Sequence, residues 1–180
     1  MSLFLGQNLT GTSRNWKQWI SALTITTCNP CAKNHGKIFA FDEDTTKYIP
    51  AHLFCKCKIE PMRTISAGYA TYNGLNGADV HLLYLKKLPD YYVLKEDAED
   101  SGWVNWKGNL ADILPGKMIG GNIFENRRHK LPEANGRIWY EADINYESGF
   151  RNKARILFSN DGLVFASYDH YTTFYEITLQ

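Results

Sequence analysis

One alternating stretch, residues 139–158, places acidic and basic side chains where they can meet. Residues two apart on a strand share a face, so Glu141 and Asp143 point the same way. A turn-like segment, YESGF, follows, and RNKARILF then reads as the returning strand, with Arg151 and Arg155. The hairpin would bring two acids and two arginines onto one face. This pattern indicates either a salt-bridged sheet surface or a charged site that handles an anion.

A second group of reactive side chains lies near the start of the chain. Its four cysteines form a C-x2-C pair and a C-x-C pair, separated by 23 residues. Two such pairs can place four thiolates around zinc, and a nearby histidine can replace one of them. Disulfides between the two pairs, or free thiols, fit the same residues and stay open as alternatives. The candidate ligands are Cys28, Cys31, Cys55 and Cys57, with His35 or His52 as a substitute.

Composition and charge narrow the classes of function. The 180 residues are enough for one domain, or for a small module joined to a compact domain. The net charge is +1; residues 1–76 hold 8 basic and 4 acidic residues, and the remainder holds 12 and 15. A nucleic-acid site in the second part must therefore be a local cluster of charge. No run of apolar residues is long enough for a membrane span, and the start of the chain predicts no signal peptide.

The order of the secondary-structure signals predicts two parts. Residues 1–63 form the Cys-rich module, residues 64–76 are rich in small and turn-forming residues and read as a linker, and residues 77–180 form a compact domain. Three short helices open this domain, the first ending before Pro89, the second closed by Gly102 and the third stopped by Pro115.

Five strands follow these helices, in the segments KMIGGNIF, GRIWYEADINY, ARILFSN, LVFASYD and TFYEIT. Helices followed by a run of antiparallel strands predict an α+β fold. We expect the helices to pack on one face of a multi-stranded antiparallel sheet, preceded by the small Cys-rich, candidate zinc-binding module.

The front part has a resemblance of its own. The lead RNWKQWISA, the C-x2-C followed by HGKIF, and the ending IPAHLFCKC are similar to the C-terminal part of phage head morphogenesis proteins, the Mu F-like minor capsid type. The family ending usually reads PPLHPNCRC. This likeness covers residues 14–63 and implies phage head components as partners.

The back part, residues 77–180, resembles the barnase-like family of bacterial guanyl-preferring ribonucleases. The stretches KGNLAD, PGK, IGG, EADINY, SGFRN and DHY carry the resemblance, in order and with the family's spacing. It implies a barnase-like α+β fold and an endoribonuclease that needs no cofactor for catalysis.

Cleavage of RNA without a metal needs a base for the 2′-hydroxyl, an acid for the 5′-oxygen and cations for the phosphorane. Glu141 suits the base, and His170 suits the acid because histidine exchanges a proton near neutral pH. Arg151 and Arg155 offer planar forks for phosphate oxygens. The resemblance adds two assignments, in which Lys95 matches the family's catalytic lysine and Asp143 orients the arginines.

The resemblance also implies a base-recognition loop at residues 124–130, where backbone groups wrap guanine and a glutamate accepts from the base edge. Arg128 occupies the glutamate position, and a guanidinium has no acceptor for the N1 and N2 hydrogens of guanine. We expect an altered guanine preference, with Tyr171 stacking on a base. The substrate-binding residues are then Phe124, Glu125, Asn126, Arg127, Arg128, Tyr171 and Asp143.

The leading interpretation is a toxin-like ribonuclease that converts single-stranded RNA to 2′,3′-cyclic phosphates and then hydrolyses them. Its expected partners are RNA and an acidic inhibitor resembling barstar, with no membrane. The chain would be phage-associated or exported as part of a larger protein. The alternative is a phage minor head protein that binds nucleic acid without cleaving it.

Overall fold

A computed structural model describes residues 9–179, so residues 1–8 of the predicted front module and residue 180 lie outside the described range. Nine strands lie in the described chain: β1 (Leu9–Ile20), β2 (Ile38–Ala40), β3 (Lys58–Ser66), β4 (Tyr92–Val93), β5 (Met118–Ile123), β6 (Trp139–Asp143), β7 (Arg155–Ser159), β8 (Val164–Ser167) and β9 (Tyr175–Thr178). They form one continuous sheet in the order β2-β1-β3-β9-β8-β7-β6-β5-β4.

Short helices connect these strands. They are α1 (Asn29–Asn34), α2 (Ala78–Leu85), α3 (Lys95–Asp100) and α4 (Leu110–Ile113), with 3-10 turns at Gly74–Asn76 and Asn105–Lys107. The three helices predicted for the back part correspond to α2, α3 and α4. Gly102 ends α3 as expected, with φ at +104° and its N–H donated to the Glu99 carbonyl. No helix in the described chain is long and apolar enough to cross a membrane.

The strands predicted for the back part are β5 to β9, and each pairs antiparallel with the next. The predicted hairpin is formed by β6 and β7. Asp143 lies directly opposite Arg155 in its register, so the acid and the arginine are cross-strand neighbours. The fold is therefore α+β, with a large sheet and few helices.

The sheet extends beyond the five predicted strands, and two of the added pairs are parallel. β3 runs parallel to β9, with Ile65 opposite Ile177, and β4 runs parallel to β5. A tight hairpin forces the chain to reverse, but neither pair is joined by one, so their direction is free to be parallel.

The predicted linker, residues 64–76, is a packed segment in the structure. It contains the end of β3, and Ala70 within it is fully buried. The Asp79 carboxylate accepts the N–H groups of Gly68 and Ala70 at 2.8 and 3.0 Å and the Thr71 hydroxyl at 3.2 Å. The small residues that predicted a linker allow close packing against α2 here.

Two apolar clusters fix the position of the sheet. In one, Ala78 and Leu82 of α2 pack with Ile156, Val164 and Ile177, so this helix lies on the face of the central strands. The other combines side chains of both parts of the chain and makes them share a core: Ile38, Met62, Leu131, Trp139, Leu157, Phe165 and Phe174.

Candidate active site

A cleft of about 400 Å³ opens where the segment after β5, strand β6 and the loop before β9 meet. Most of its lining was expected from the sequence: Phe124, Glu125, Asn126, Arg127, Arg128, Glu141, His170 and Tyr171. The structure adds Ile123, Lys130 and Phe174. The proposed base, acid and recognition loop therefore share one cavity.

Glu141 projects from β6 into this cleft and is partly buried. The Tyr171 hydroxyl donates a hydrogen bond to Oε2 of Glu141. Burial, followed by the hydrogen bond and charge of Glu141, raises the pKa of Tyr171, so the phenol stays protonated and remains a donor. The carboxylate is thus held in one orientation from the side of the loop that carries His170.

Asp143 lies behind the cleft and binds both arginines of the hairpin. Its side chain is 0% exposed. Nε and Nη2 of Arg151 donate to its two oxygens, each at 2.7 Å, in a bidentate pair. Burial acts to lower the pKa of Arg151, but the hydrogen bonds and charge of Asp143 outweigh it and raise this pKa. The hairpin is therefore an internal ion cluster placed beside a cavity.

Arg155 is more deeply placed than the sequence suggested. Its side chain is 6% exposed, and Nε lies 3.0 Å from an oxygen of Asp143 without the alignment of a hydrogen bond. Nη1 donates to the carbonyls of Asn152 and Ala154 at 2.8 and 2.7 Å. Much of its fork is already used, so Arg155 contributes chiefly a fixed positive charge.

The loop that presents His170 has an unusual backbone. His170 and Tyr171 have φ values of +58° and +65°, a region that residues with a Cβ rarely adopt. Ser167 and Asp169 hold this shape. The Ser167 hydroxyl accepts from the Tyr171 N–H at 2.9 Å, and Asp169 Oδ1 accepts from the N–H groups of Thr172 and Thr173.

The surroundings of His170 favour its neutral form. Burial lowers the pKa of the imidazole, and the charge of Arg155 lowers it further, while Glu141 acts in the opposite direction. The charges of Glu141 and of the buried Arg155 therefore both act on the imidazole of His170.

Asn126 organises the predicted recognition loop from within. Its side chain is buried, its oxygen accepts from the N–H groups of Lys130 and Leu131 at 3.1 Å, and its amide donates to the Leu131 carbonyl at 3.0 Å. Arg127 pairs with Glu125, and Arg128 is exposed at the rim. Asn126 therefore shapes the loop, and the arginines remain at its surface.

Lys130 ends the predicted recognition loop and lines the cleft, although the sequence did not single it out as a substrate-binding residue. It is buried, and its Nζ donates to the carbonyls of Tyr171 and Thr172 at 3.0 and 3.4 Å. Burial, with a smaller effect of the Arg128 charge, lowers its pKa to about 8. The ammonium of Lys130 joins the predicted recognition loop to the loop that carries His170. In the sequence this lysine looks like an ordinary surface residue.

Lys95 is not among the residues that line the cleft. It begins α3, where its Nζ lies 3.7 Å from Glu99 and its side chain is 50% exposed. Asn122 accepts the Lys95 N–H at 2.9 Å and donates to Glu96 at 2.7 Å, which anchors the first turn of α3 beside β5.

The two cysteine pairs of the front part, Cys28 with Cys31 and Cys55 with Cys57, lie close together. All four are free thiols, and the Sγ atoms of Cys31 and Cys55 are 3.7 Å apart. Nε2 of His52 lies 3.1 Å from the sulfur of Cys28 and 3.3 Å from that of Cys31. His35 belongs elsewhere, because its Nδ1 accepts the Ser21 N–H at 3.0 Å.

Comparison with known proteins gives a consistent answer for the back part. A sequence model of the ribonuclease family matches residues 78–178. The chain is 51% identical over 108 residues, 60% of its length, to a ribonuclease of Heyndrickxia coagulans, of which 99% is covered. Ribonucleases of Bacillus intermedius and Bacillus pumilus are also 51% identical over 108 residues, with 67% of each covered.

The family match therefore includes the strands and loops that build the cleft. The resemblance of the front part to phage head proteins stays a prediction. On the family model and the three relatives together, the chain belongs to the ribonuclease family and is an endoribonuclease.

Proposed function

We propose that the chain cleaves single-stranded RNA by transphosphorylation, without a metal ion in the reaction. The 2′-hydroxyl attacks the adjacent phosphorus, the 5′-oxygen leaves, and a 2′,3′-cyclic phosphate forms and is later hydrolysed. The observation that carries this proposal is the shared cleft of Glu141 and His170, with the ion cluster of Asp143 behind it.

In this mechanism Glu141 takes the proton of the 2′-hydroxyl and His170 protonates the leaving 5′-oxygen. The lone pairs of Glu141 are directed by the hydrogen bond from Tyr171. During hydrolysis of the cyclic phosphate the two residues exchange roles, since the second step reverses the first with water as the nucleophile.

The positive charge needed by the phosphorane comes from the arginines and from Lys95. Arg151, bidentate on Asp143, keeps Nη1 available, while the buried Arg155 supplies a charge that needs no reorganisation during reaction. Lys95 would have to leave Glu99 and swing towards the phosphate, a movement that its long, half-exposed side chain allows.

We further propose that guanine preference is altered. Arg128, exposed at the rim, can donate to O6 and N7 of guanine but cannot accept from its N1 and N2 hydrogens. Phe124 and Tyr171, with ring centroids 5.0 Å apart, offer aromatic surface for a base.

The test is cleavage of short single-stranded RNAs in excess EDTA, with the product ends identified. Cyclic phosphates are the expected products. Dinucleoside substrates that differ only in the first base would give the preference, and Arg128→Glu is expected to strengthen discrimination for guanine. RNA that is bound but stays intact would contradict the mechanism. Cleavage that EDTA abolishes would contradict it too, provided that circular dichroism shows the chain still folded in EDTA, since loss of a structural metal from the front part could otherwise unfold it.

The biological context is also a proposal. We propose that residues 1–63 form a phage-head-type module attached to the ribonuclease, which would act as a toxin. A barstar-like inhibitor, acidic and able to cover the arginine-rich cleft, fits such an enzyme because its activity endangers the producing cell. Catalysis in this scheme needs no cofactor, so any metal in the front part would be structural.

A further inference from the structure

Five metal-binding side chains of the front part form two overlapping groups that share one sulfur. Cys28, Cys31 and His52 have ligand atoms within 4.8 Å of one another, and so do Cys31, Cys55 and Cys57. Cys31 belongs to both groups and is buried. Free thiols would gain nothing from such crowding, whereas a cation that binds sulfur and nitrogen would.

Three separations lie close to the edges of a tetrahedral zinc site. Cys55 belongs to the second group and not to the first, so a bound ion would draw it towards Cys28 and His52. With Zn–S near 2.3 Å and Zn–N near 2.0–2.1 Å, two sulfurs lie about 3.8 Å apart, and a sulfur and a nitrogen about 3.6 Å apart. The Cys31–Cys55 separation is 3.7 Å, and the two from Nε2 of His52 are 3.1 and 3.3 Å. A disulfide would need about 2.05 Å between sulfurs.

His52 has the hydrogen bonding of a metal ligand. Its Nδ1 lies 2.8 Å from the Leu53 carbonyl, which can only accept, so the proton is on Nδ1. In the neutral imidazole Nε2 is then the unprotonated atom, and it faces the sulfurs of Cys28 and Cys31. A backbone carbonyl that fixes the tautomer in this way is the usual outer partner of a zinc-bound histidine.

Cys57 has, besides its neighbours Cys31 and Cys55, a partner outside the cluster. Its sulfur lies 3.3 Å from the Ser21 hydroxyl, which itself donates to the Cys31 carbonyl at 2.6 Å. The thiol of Cys57 can therefore donate to Ser21 and support the backbone of a ligand without binding the metal.

The chain around the cluster has little regular structure and a small core of its own. Between β2 and β3, residues 41–57 contain no helix or strand, and the local core is small, with Trp19, Cys31 and Phe39 as its buried members. In a segment with so small a core, a bound metal can supply stabilisation that packing does not.

We propose that the front part binds one Zn²⁺-class cation through Cys28, Cys31, Cys55 and His52. Three thiolates and an imidazole select a borderline-soft ion over magnesium or calcium. The closed, four-ligand set leaves no open position, so the role is structural.

The test uses the full chain, reduced and stripped of metal, and titrates it with Co²⁺ alone. We expect one Co²⁺ per chain, visible ligand-field absorption of a tetrahedral thiolate site, and displacement by equimolar Zn²⁺. His52→Ala should weaken binding by more than about tenfold, because even outer-shell partners contribute that much. Cys57→Ser, and His129→Ala as an exposed-histidine control, should bind as the unaltered chain does.

Absence of stoichiometric metal from folded, reduced protein would overturn the proposal. Loss of binding in Cys57→Ser together with full binding in His52→Ala would overturn the ligand set. Circular dichroism of each variant shows whether it is folded. Because no RNA is present, failure of the metal site and failure of the proposed cleavage mechanism are read separately.

Discussion

Gly36 lies at the contact between the front part and the loop that carries His170. It follows α1 with φ at +84°, donates its N–H to the Trp19 carbonyl at 2.9 Å, and accepts from the Gln18 amide at 3.1 Å. A Cβ built on it would overlap the carbonyl oxygen of Thr172 and come within 3.5 Å of the Lys130 ammonium. Thr172 is two residues from the proposed catalytic acid.

Gly36→Ala should therefore affect both stability and activity. A positive φ is unfavourable for alanine by about 1–2 kcal/mol, and forcing an atom into a packed backbone adds about 1–3 kcal/mol. We expect the free energy of unfolding to fall by about 2–5 kcal/mol in total. Displacing the loop by about 1 Å should lower kcat/KM by about 10- to 100-fold.

Gly136→Ala is the matched control. Gly136 has φ at +77°, and a Cβ built there meets no atom within 4 Å, so only the conformational term applies. Its free energy of unfolding should fall by about 1–2 kcal/mol with unchanged kcat/KM. The assays are urea denaturation and cleavage of a short single-stranded RNA. Equal stability of the two variants, with full activity in Gly36→Ala, would refute the contact between front part and loop.

Three further outcomes follow from the cleft. Glu141→Gln and His170→Gln should each lower kcat/KM by about 10²- to 10⁴-fold. The control Glu147→Gln, at an exposed position, should leave kcat/KM unchanged. Near-full activity in Glu141→Gln or His170→Gln would exclude that residue as the proposed base or acid. In the proposed mechanism protonated His170 is the active form, and its pKa is lowered, so kcat/KM should fall as pH rises through a value below the ordinary 6.5 or so of histidine. Lys153→Gln removes a charge that lowers this pKa and should move the fall to higher pH; an unmoved pH profile would argue against His170. Asp143→Ala leaves the guanidinium groups of both arginines without their buried partner. The free energy of unfolding, measured by urea titration, should therefore fall by about 3–5 kcal/mol. A loss below about 1 kcal/mol would contradict a stabilising ion cluster at Asp143.

Features that depend on nearby residues could be predicted from the sequence. The alternation along residues 139–143 indicates which acids share a face of the strand. The turn after them indicates that the next strand, with its arginines, runs back alongside, so the proximity of Asp143 and Arg155 could be predicted. Gly102 and Pro115 likewise marked the ends of α3 and α4, whereas α2 ends at Leu85, where Lys86 adopts a left-handed conformation well before Pro89.

Features that depend on distant contacts could not be predicted. The backbone hydrogen bonds that join β3 to β9 leave no signature in side-chain type, and the small residues of 64–76 suit a linker and a tight packing layer equally well. Burial of Lys130 results from the docking of two loops, and the direction of the Lys95 side chain is a choice of rotamer. Neither property is encoded in the local pattern.

The parallel pairing of β3 with β9 also sets an order of events during synthesis. β3 is made long before β9, which is the last strand of the described chain, and the loop with His170 immediately precedes β9. Until β9 is inserted between β8 and β3, each of these strands keeps one edge unpaired. In a chain still being translated the loop with His170 thus lacks the support of β9, so we expect RNA cleavage to begin only after the ribosome has made that strand.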